Sequence, residues 1–222
     1  KRNGRMDRKR ILPIFFIVFT NILGSGVILP ILPLLAIDRF DATDFQAAAL
    51  AGVFFAAQFV AAPWLGRLSD RYGRRPVLIV SQIGTVFSFV LFIFAGQIGA
   101  IIDSWGLGLG ATGGLIMLYV ARVLDGITGG NITTAQAYIT DVSTPKTRAQ
   151  ALGIISAAFG GGFIFGPAFG GILADVSLNA PFIGAAIITT GSLTLTIVTL
   201  KESLPPEARS TKASQKDEIP VR

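Results

Sequence analysis

Residues 66–78 read GRLSDRYGRRPVL and lie between two long apolar runs. Each run is long enough to cross the hydrocarbon core of a bilayer, which takes about 20 apolar residues in a helix. The stretch therefore reads as a short, strongly basic loop between two membrane helices. Short membrane loops keep Lys and Arg on the cytoplasmic side, so this loop is expected inside the cell. Gly66 permits a close backbone approach, and Gly73 permits a tight turn ahead of Arg74, Arg75 and Pro76. Asp70 sits among the arginines, where a carboxylate can pair and tie neighbouring helix ends together.

The rest of the chain agrees with a membrane location. Of 222 residues, 51% are hydrophobic and 14% are charged, whereas a soluble domain carries about 25% charged residues. The expected class is all-α, a polytopic membrane protein, because lipid-exposed backbone must satisfy its own hydrogen bonds. No alternation of the kind that marks a β-barrel is visible. Six spans are predicted, at 11–36, 45–66, 76–98, 113–139, 147–174 and 181–200.

The net charge of +6 is distributed as a topology signal and not as a nucleic-acid surface. Seventeen of the 19 Lys and Arg fall in residues 1–10, the 66–78 stretch, Lys146 with Arg148, and the segment from Lys201 onward. Only Arg39 lies on the other side, and Arg122 lies within a span. Both termini are accordingly expected in the cytoplasm, with the protein in the cell inner (plasma) membrane. The basic segment 1–10 precedes an apolar run too long for a cleaved signal peptide, so that run reads as a retained helix. Lys1 or Met6 are both open as the native start. Residues 201–222, charged and with Pro and Ser, are expected to form a disordered tail.

With no cysteine and no histidine, disulfides, thiolate metal sites and imidazole proton shuttles are excluded. No cofactor and no metal site is expected. GLGLGATGG at 106–114 lacks both the preceding strand and the Lys-Ser/Thr of a phosphate loop. No nucleophile triad is present either, so enzyme activity is not expected.

Three further patterns carry chemistry. LGSGVILPILP (23–33) places Pro30 and Pro33 three apart, which removes donors and bends a helix. LYVARVLDGITGGN (118–131) buries Arg122 and Asp125 in an apolar span, where each charge costs about 2.5–3.5 kcal/mol unless paired or hydrated. At i, i+3 the two share a face, and the pair reads either as a proton-coupling device or as a structural ion pair. GFIFGPAFGG (162–171) repeats small residues at Gly162, Gly166 and Gly170, with Pro167 and Gly171 beside them, a ridge on which another helix can approach closely. Phe15, Phe16, Phe19, Phe54, Phe55 and Phe59 either line an apolar cavity or face lipid.

GRLSDRYGRRPVL resembles the loop between the second and third helices of major facilitator superfamily transporters. LGSGVILPILP and GFIFGPAFGG resemble first- and fifth-helix motifs of its twelve-helix drug–proton antiporters. PWLGRLSDRYGRRPVL and ARVLDGITGGNITTAQAYITD are similar to the tetracycline-efflux branch. The resemblance implies one six-helix half of the fold, with Asp70, Arg74 and Asp141 forming a latch that closes the inner side, near Gly66 and Gly73. It implies proton coupling at Arg122 and Asp125, and an exporter by Gly162, Gly166, Pro167, Gly170 and Gly171. The branch carries acids in the substrate cavity where this chain has Asn21 and Ser88, so its fold carries over and its substrate does not. The implied partners are membrane lipid, a small-molecule substrate, protons, and a second copy or complementary C-terminal half, with no nucleic acid. A non-transporting membrane subunit, or a truncated transporter fragment, is the alternative.

Overall fold

The computed structural model describes residues 8–106 and 112–209. Most of the basic N-terminus, most of the 106–114 glycine stretch and the tail from 210 onward lie outside the described residues. Eight helices follow in order: α1 (Arg8–Ile28), α2 (Ile31–Phe40), α3 (Asp44–Tyr72), α4 (Arg74–Ser104), α5 (Gly113–Gly129), α6 (Ile132–Val142), α7 (Arg148–Ala174) and α8 (Ala180–Thr199). Two pairs, α1–α2 and α5–α6, each make one span, so six helical segments are long and apolar enough to cross a membrane.

The interruptions have local causes. Pro30 cannot donate to the helix ladder, and the chain breaks there before α2 starts. Gly130 and Asn131 interrupt α5–α6, where glycine's backbone freedom disfavours continuous helix. Thr43 opens α3 with a capping box, accepting from the Gln46 N–H while the Gln46 side chain accepts from the Thr43 N–H.

An internal repeat links the two halves of the bundle. The first and fourth spans are both broken, and α3 and α7 each carry a proline at the twentieth residue, Pro63 and Pro167. Packing repeats the same scheme: α1 lies chiefly on α7 and α8, and α5 chiefly on α4 and α3. Paired interrupted helices in corresponding positions mark the midplane sites of transporters. The α1–α2 span is mostly enclosed, whereas α3 and α7 leave most of their surface uncovered.

Small residues set the contact between α1 and α7. A Cβ on Gly166 would stand 2.7 Å from the Gly26 backbone, and one on Gly162 would stand 2.7 Å from Ile22. Gly170 faces the Val27 backbone in the same way. The ridge in α7 therefore receives α1. Pro167 is exposed and a Cβ on Gly171 would meet open space, so those two do not belong to the contact.

Three expectations change. The 66–78 stretch is not an extended loop: α3 runs to Tyr72 and α4 begins at Arg74, with Gly73 alone between them at φ +107°. Its φ is one that L side chains rarely adopt, and the junction is a single-residue hinge. Gly66 makes no close approach, since a Cβ there would touch nothing within 4 Å. Residues 201–209, expected in a disordered tail, instead fold back on this hinge, with Leu204 buried.

Candidate functional site

At the basic end of the bundle, Arg74 is buried and uses every guanidinium nitrogen. Its Nη2 pairs with Asp70 Oδ1 at 2.7 Å, Nε donates to Asp141 Oδ2 at 3.1 Å, and Nη1 donates to Ser69 Oγ at 2.6 Å. The planar fork of arginine suits this three-way contact, which a lysine point charge could not make. The hinge at Gly73 turns Arg74 back toward the end of α3, while Asp141 arrives from the last turn of α6. The structure thus brings Asp70, Arg74 and Asp141 together.

The sequence reading missed a fourth member. Helix α4 has no side-chain cap of its own, and Glu202 supplies one from beyond α8. Its Oε1 accepts the Arg74 N–H at 2.9 Å and its Oε2 the Arg75 N–H at 3.2 Å. A carboxylate at a helix N-terminus satisfies orphan donors and meets the positive end of the dipole. Ser203 Oγ donates to Asp141 Oδ2 at 3.2 Å, and Tyr138 donates to the Lys201 carbonyl at 2.9 Å. Arg75 Nη2 donates to the Ile197 carbonyl near the end of α8 at 2.8 Å. The available signal was an acid three residues past the last apolar span.

Within the bundle, Arg122 and Asp125 on α5 are both buried and pair at 3.1 Å, Nη1 to Oδ2. The guanidinium lies over the Phe54 ring at 5.2 Å and the Phe92 ring at 5.5 Å, contacts that stabilise a desolvated cation. Ser88 on α4 lies beside the Asp125 carboxylate, but its hydroxyl donates to the Thr85 carbonyl at 2.8 Å.

Arg122 also lines a cavity of about 240 Å³ walled by α1, α3, α5, α6 and α7. The wall is mainly apolar and aromatic, with Phe54, Phe55, Phe159 and Phe163, and its polar points are Asn21, Ser25, Gln58 and Arg122. Asn21 therefore lies in the cavity wall, while Ser88 is fully buried behind it. Of the six phenylalanines singled out, Phe54 and Phe55 line this cavity; Phe15, Phe16, Phe19 and Phe59 do not. Apolar walls with a few convergent polar groups suit a small organic ligand.

The model of the Major Facilitator Superfamily matches residues 14–221. The chain belongs to this family. The tetracycline resistance protein, class C, of Escherichia coli is 35% identical over 194 residues, which is 86% of this chain and 45% of that protein. Class H of Pasteurella multocida is 34% identical over 90% of this chain and 46% of its own length. Multidrug resistance protein 2 of Bacillus subtilis (strain 168) is 32% identical over 92% of this chain and 48% of its own length. The crystal structure of the human organic anion transporter MFSD10 (TETRAN) superposes with a TM-score of 0.73 at 24% identity, covering 92% of this chain and 50% of that one. The chain spans about half the length of the relatives it matches, and its six spans form one half of a major facilitator fold.

Proposed function

We propose that the chain is one half of a proton-coupled exporter of amphipathic, drug-like compounds, working by alternating access in a bacterial inner membrane with both termini cytoplasmic. The observation that carries this reading is the buried Arg122–Asp125 pair at the wall of an aromatic cavity. A carboxylate that alternately binds and releases a proton beside a fixed cation is suited to coupling, and a cavity of this lining suits an aromatic solute. The printed names of the relatives, tetracycline and multidrug resistance proteins, support the class. The neutral Asn21 in the wall favours a substrate other than one that needs a carboxylate there.

Asp70, Arg74 and Asp141 would close the cytoplasmic side when the two halves meet there, and their release would open it. A single bundle offers only one wall of a midplane site. The uncovered surfaces of α3 and α7 support a second six-helix unit, either another copy or a complementary half.

The test is transport by inverted membrane vesicles carrying the chain alone or with a candidate second half. Uptake of ethidium, an aromatic and amphipathic cation, that is driven by a pH gradient and stopped by its collapse is expected, with tetracycline run beside it to test the effect of Asn21. Failure of ethidium to move under any of these combinations would overturn the reading. Native mass spectrometry of the extracted protein is expected to give a dimer or a one-to-one complex with a second six-helix chain.

A further inference from the structure

Among the described residues, seven buried side-chain polar atoms lack a hydrogen-bond partner, and six of them lie inside the bundle: Ser81 Oγ, Gln82 Oε1, Arg122 Nε, Asp125 Oδ1, Thr134 Oγ1 and Thr189 Oγ1. Buried polar groups are nearly always satisfied by protein or ordered water. In a lipid-embedded bundle, bulk solvent cannot supply the partner. A concentration of unpartnered groups along one seam therefore points to water.

The groups fall in order. On α4, Ser81, Gln82, Thr85 and Ser88 share one face and are all buried, descending from Asp125 toward Arg74. Thr85 Oγ1 and Thr128 Oγ1 are 3.0 Å apart, bridging α4 to the helix that carries Asp125. Gln82 Nε2 donates to Ser192 Oγ at 2.9 Å, and Ser192 in turn donates to the Ile17 carbonyl at 3.2 Å. Thr134 continues toward the basic end on α6, and Asp141 stands two turns below it. Beside this seam a void of about 10 Å³ touches Ile17, Leu78, Asn21 and Asn131, and it shares Asn21, Ile22 and Ile132 with the main cavity. A void of this size is at the lower limit for a single water.

We propose that this seam between α4, α5, α6 and α8 is a hydrated proton route, one water wide, joining the Arg122–Asp125 pair to Asp141 at the basic end. It deepens the proton-coupling reading and rests on it. The O–H bond of a protonated Asp125 breaks, leaving the carboxylate paired with Arg122. Each water or hydroxyl along the seam gains one proton and gives up another. The Asp141 carboxylate accepts the last proton and passes it to solvent. A proton resting on Asp141 removes one of the two charges that hold Arg74, so the route ends on the group that keeps the hinge closed.

The chain has no cysteine, so single thiols can be introduced without background. Silver ion is near the size of a water molecule and reacts with a hydrated thiolate, whereas a thiol in a dry apolar setting stays unreactive. Ser81→Cys and Ser192→Cys, in the whole chain in lipid nanodiscs, are exposed to silver nitrate, then denatured and labelled with a maleimide dye. Val80→Cys, one residue from the seam and 67% exposed toward lipid, is the control. Silver is expected to block Ser81→Cys and Ser192→Cys at least about tenfold faster than Val80→Cys, as thiolate-limited reactivity requires. Equal, slow blocking of all three would overturn the route, and an isolated trapped water would give that same slow result. Two seam positions on different helices guard against one variant failing to fold. Silver access does not depend on what Asp125 does, so a dry seam leaves the coupling reading standing. Proton-driven transport that survives Asp125→Asn would instead remove the coupling reading without bearing on the silver result.

Discussion

Glu202 caps a helix that begins 128 positions earlier in the chain: its carboxylate accepts the N–H of Arg74 at 2.9 Å, while the Arg74 side chain holds Asp70 and Asp141. Main chain and side chain of one residue are thus tied to three acids from three different segments. The segment after α8 thereby becomes part of the hinge between α3 and α4. Any load on that segment reaches Arg74 directly, through a charge-assisted contact.

Removing the cap should weaken the fold modestly. Glu202→Ala is expected to cost about 1–2 kcal/mol, the range for losing a helix cap together with its charge–dipole term. Glu202→Gln should cost about half as much, because its one carbonyl oxygen still accepts from Arg74 while its NH2 opposes the Arg75 N–H. Thermal unfolding in detergent measures both, and equal stability of wild type and Glu202→Ala would mean that solvent caps α4 just as well.

Arg74→Lys tests the fork geometry. A lysine keeps the charge but cannot serve Asp70, Asp141 and Ser69 together. The expected loss is about 1–3 kcal/mol, moderated because Ser69 keeps its bond to the Gly66 carbonyl at 2.8 Å. Faster proteolysis near Gly73 is the accompanying readout. Unchanged protease resistance with unchanged unfolding would show that charge alone suffices at this position.

The legibility of this fold was uneven for physical reasons. Apolar length announces a membrane span by itself, so the six spans were readable, whereas the meeting of Asp70 and Arg74 with Asp141, 67 positions beyond Arg74, was implied only by the resemblance to the family and by no local spacing. Helix ends were not readable: charged residues such as Arg67, Asp70 and Arg71 look like loop in a hydropathy profile, yet they form the final turns of α3. Glu202 was missed because a cap from a distant segment leaves no periodic trace. Ser88 and Asn21 looked equivalent as neutral replacements, but one lies behind Asp125 and the other in the cavity wall, a distinction only packing supplies.

Asp125→Asn separates charge from shape. The amide oxygen can still accept from Arg122, so insertion and fold should persist, but no carboxyl remains to bind and release a proton. Loss of pH-gradient-driven uptake in vesicles, with normal protein level in the membrane, is expected. Both variants remove the counter-charge of Arg122, but Asp125→Leu should be far worse for stability, by about 3–5 kcal/mol, because it also leaves the buried guanidinium without the acceptor that the asparagine oxygen keeps. Uptake at the wild-type rate in Asp125→Asn would assign the pair a structural role.

Two glycines of one motif should respond with opposite sign. Gly166 stands against Gly26, where an added Cβ would lie 2.7 Å from backbone atoms; backbone cannot rotate away as a side chain tip can. Gly166→Ala must therefore push α7 from α1, at an expected cost of about 1–3 kcal/mol for overpacking, and Gly166→Leu should cost more. Gly171→Ala meets nothing within 4 Å and replaces the poorest ordinary helix former with the best, so it should be neutral or stabilising by up to about 1 kcal/mol. Thermal unfolding of the two alanine variants side by side is the measurement. If both destabilise equally, the Gly171 face is the part of the uncovered α7 surface against which the second six-helix unit packs.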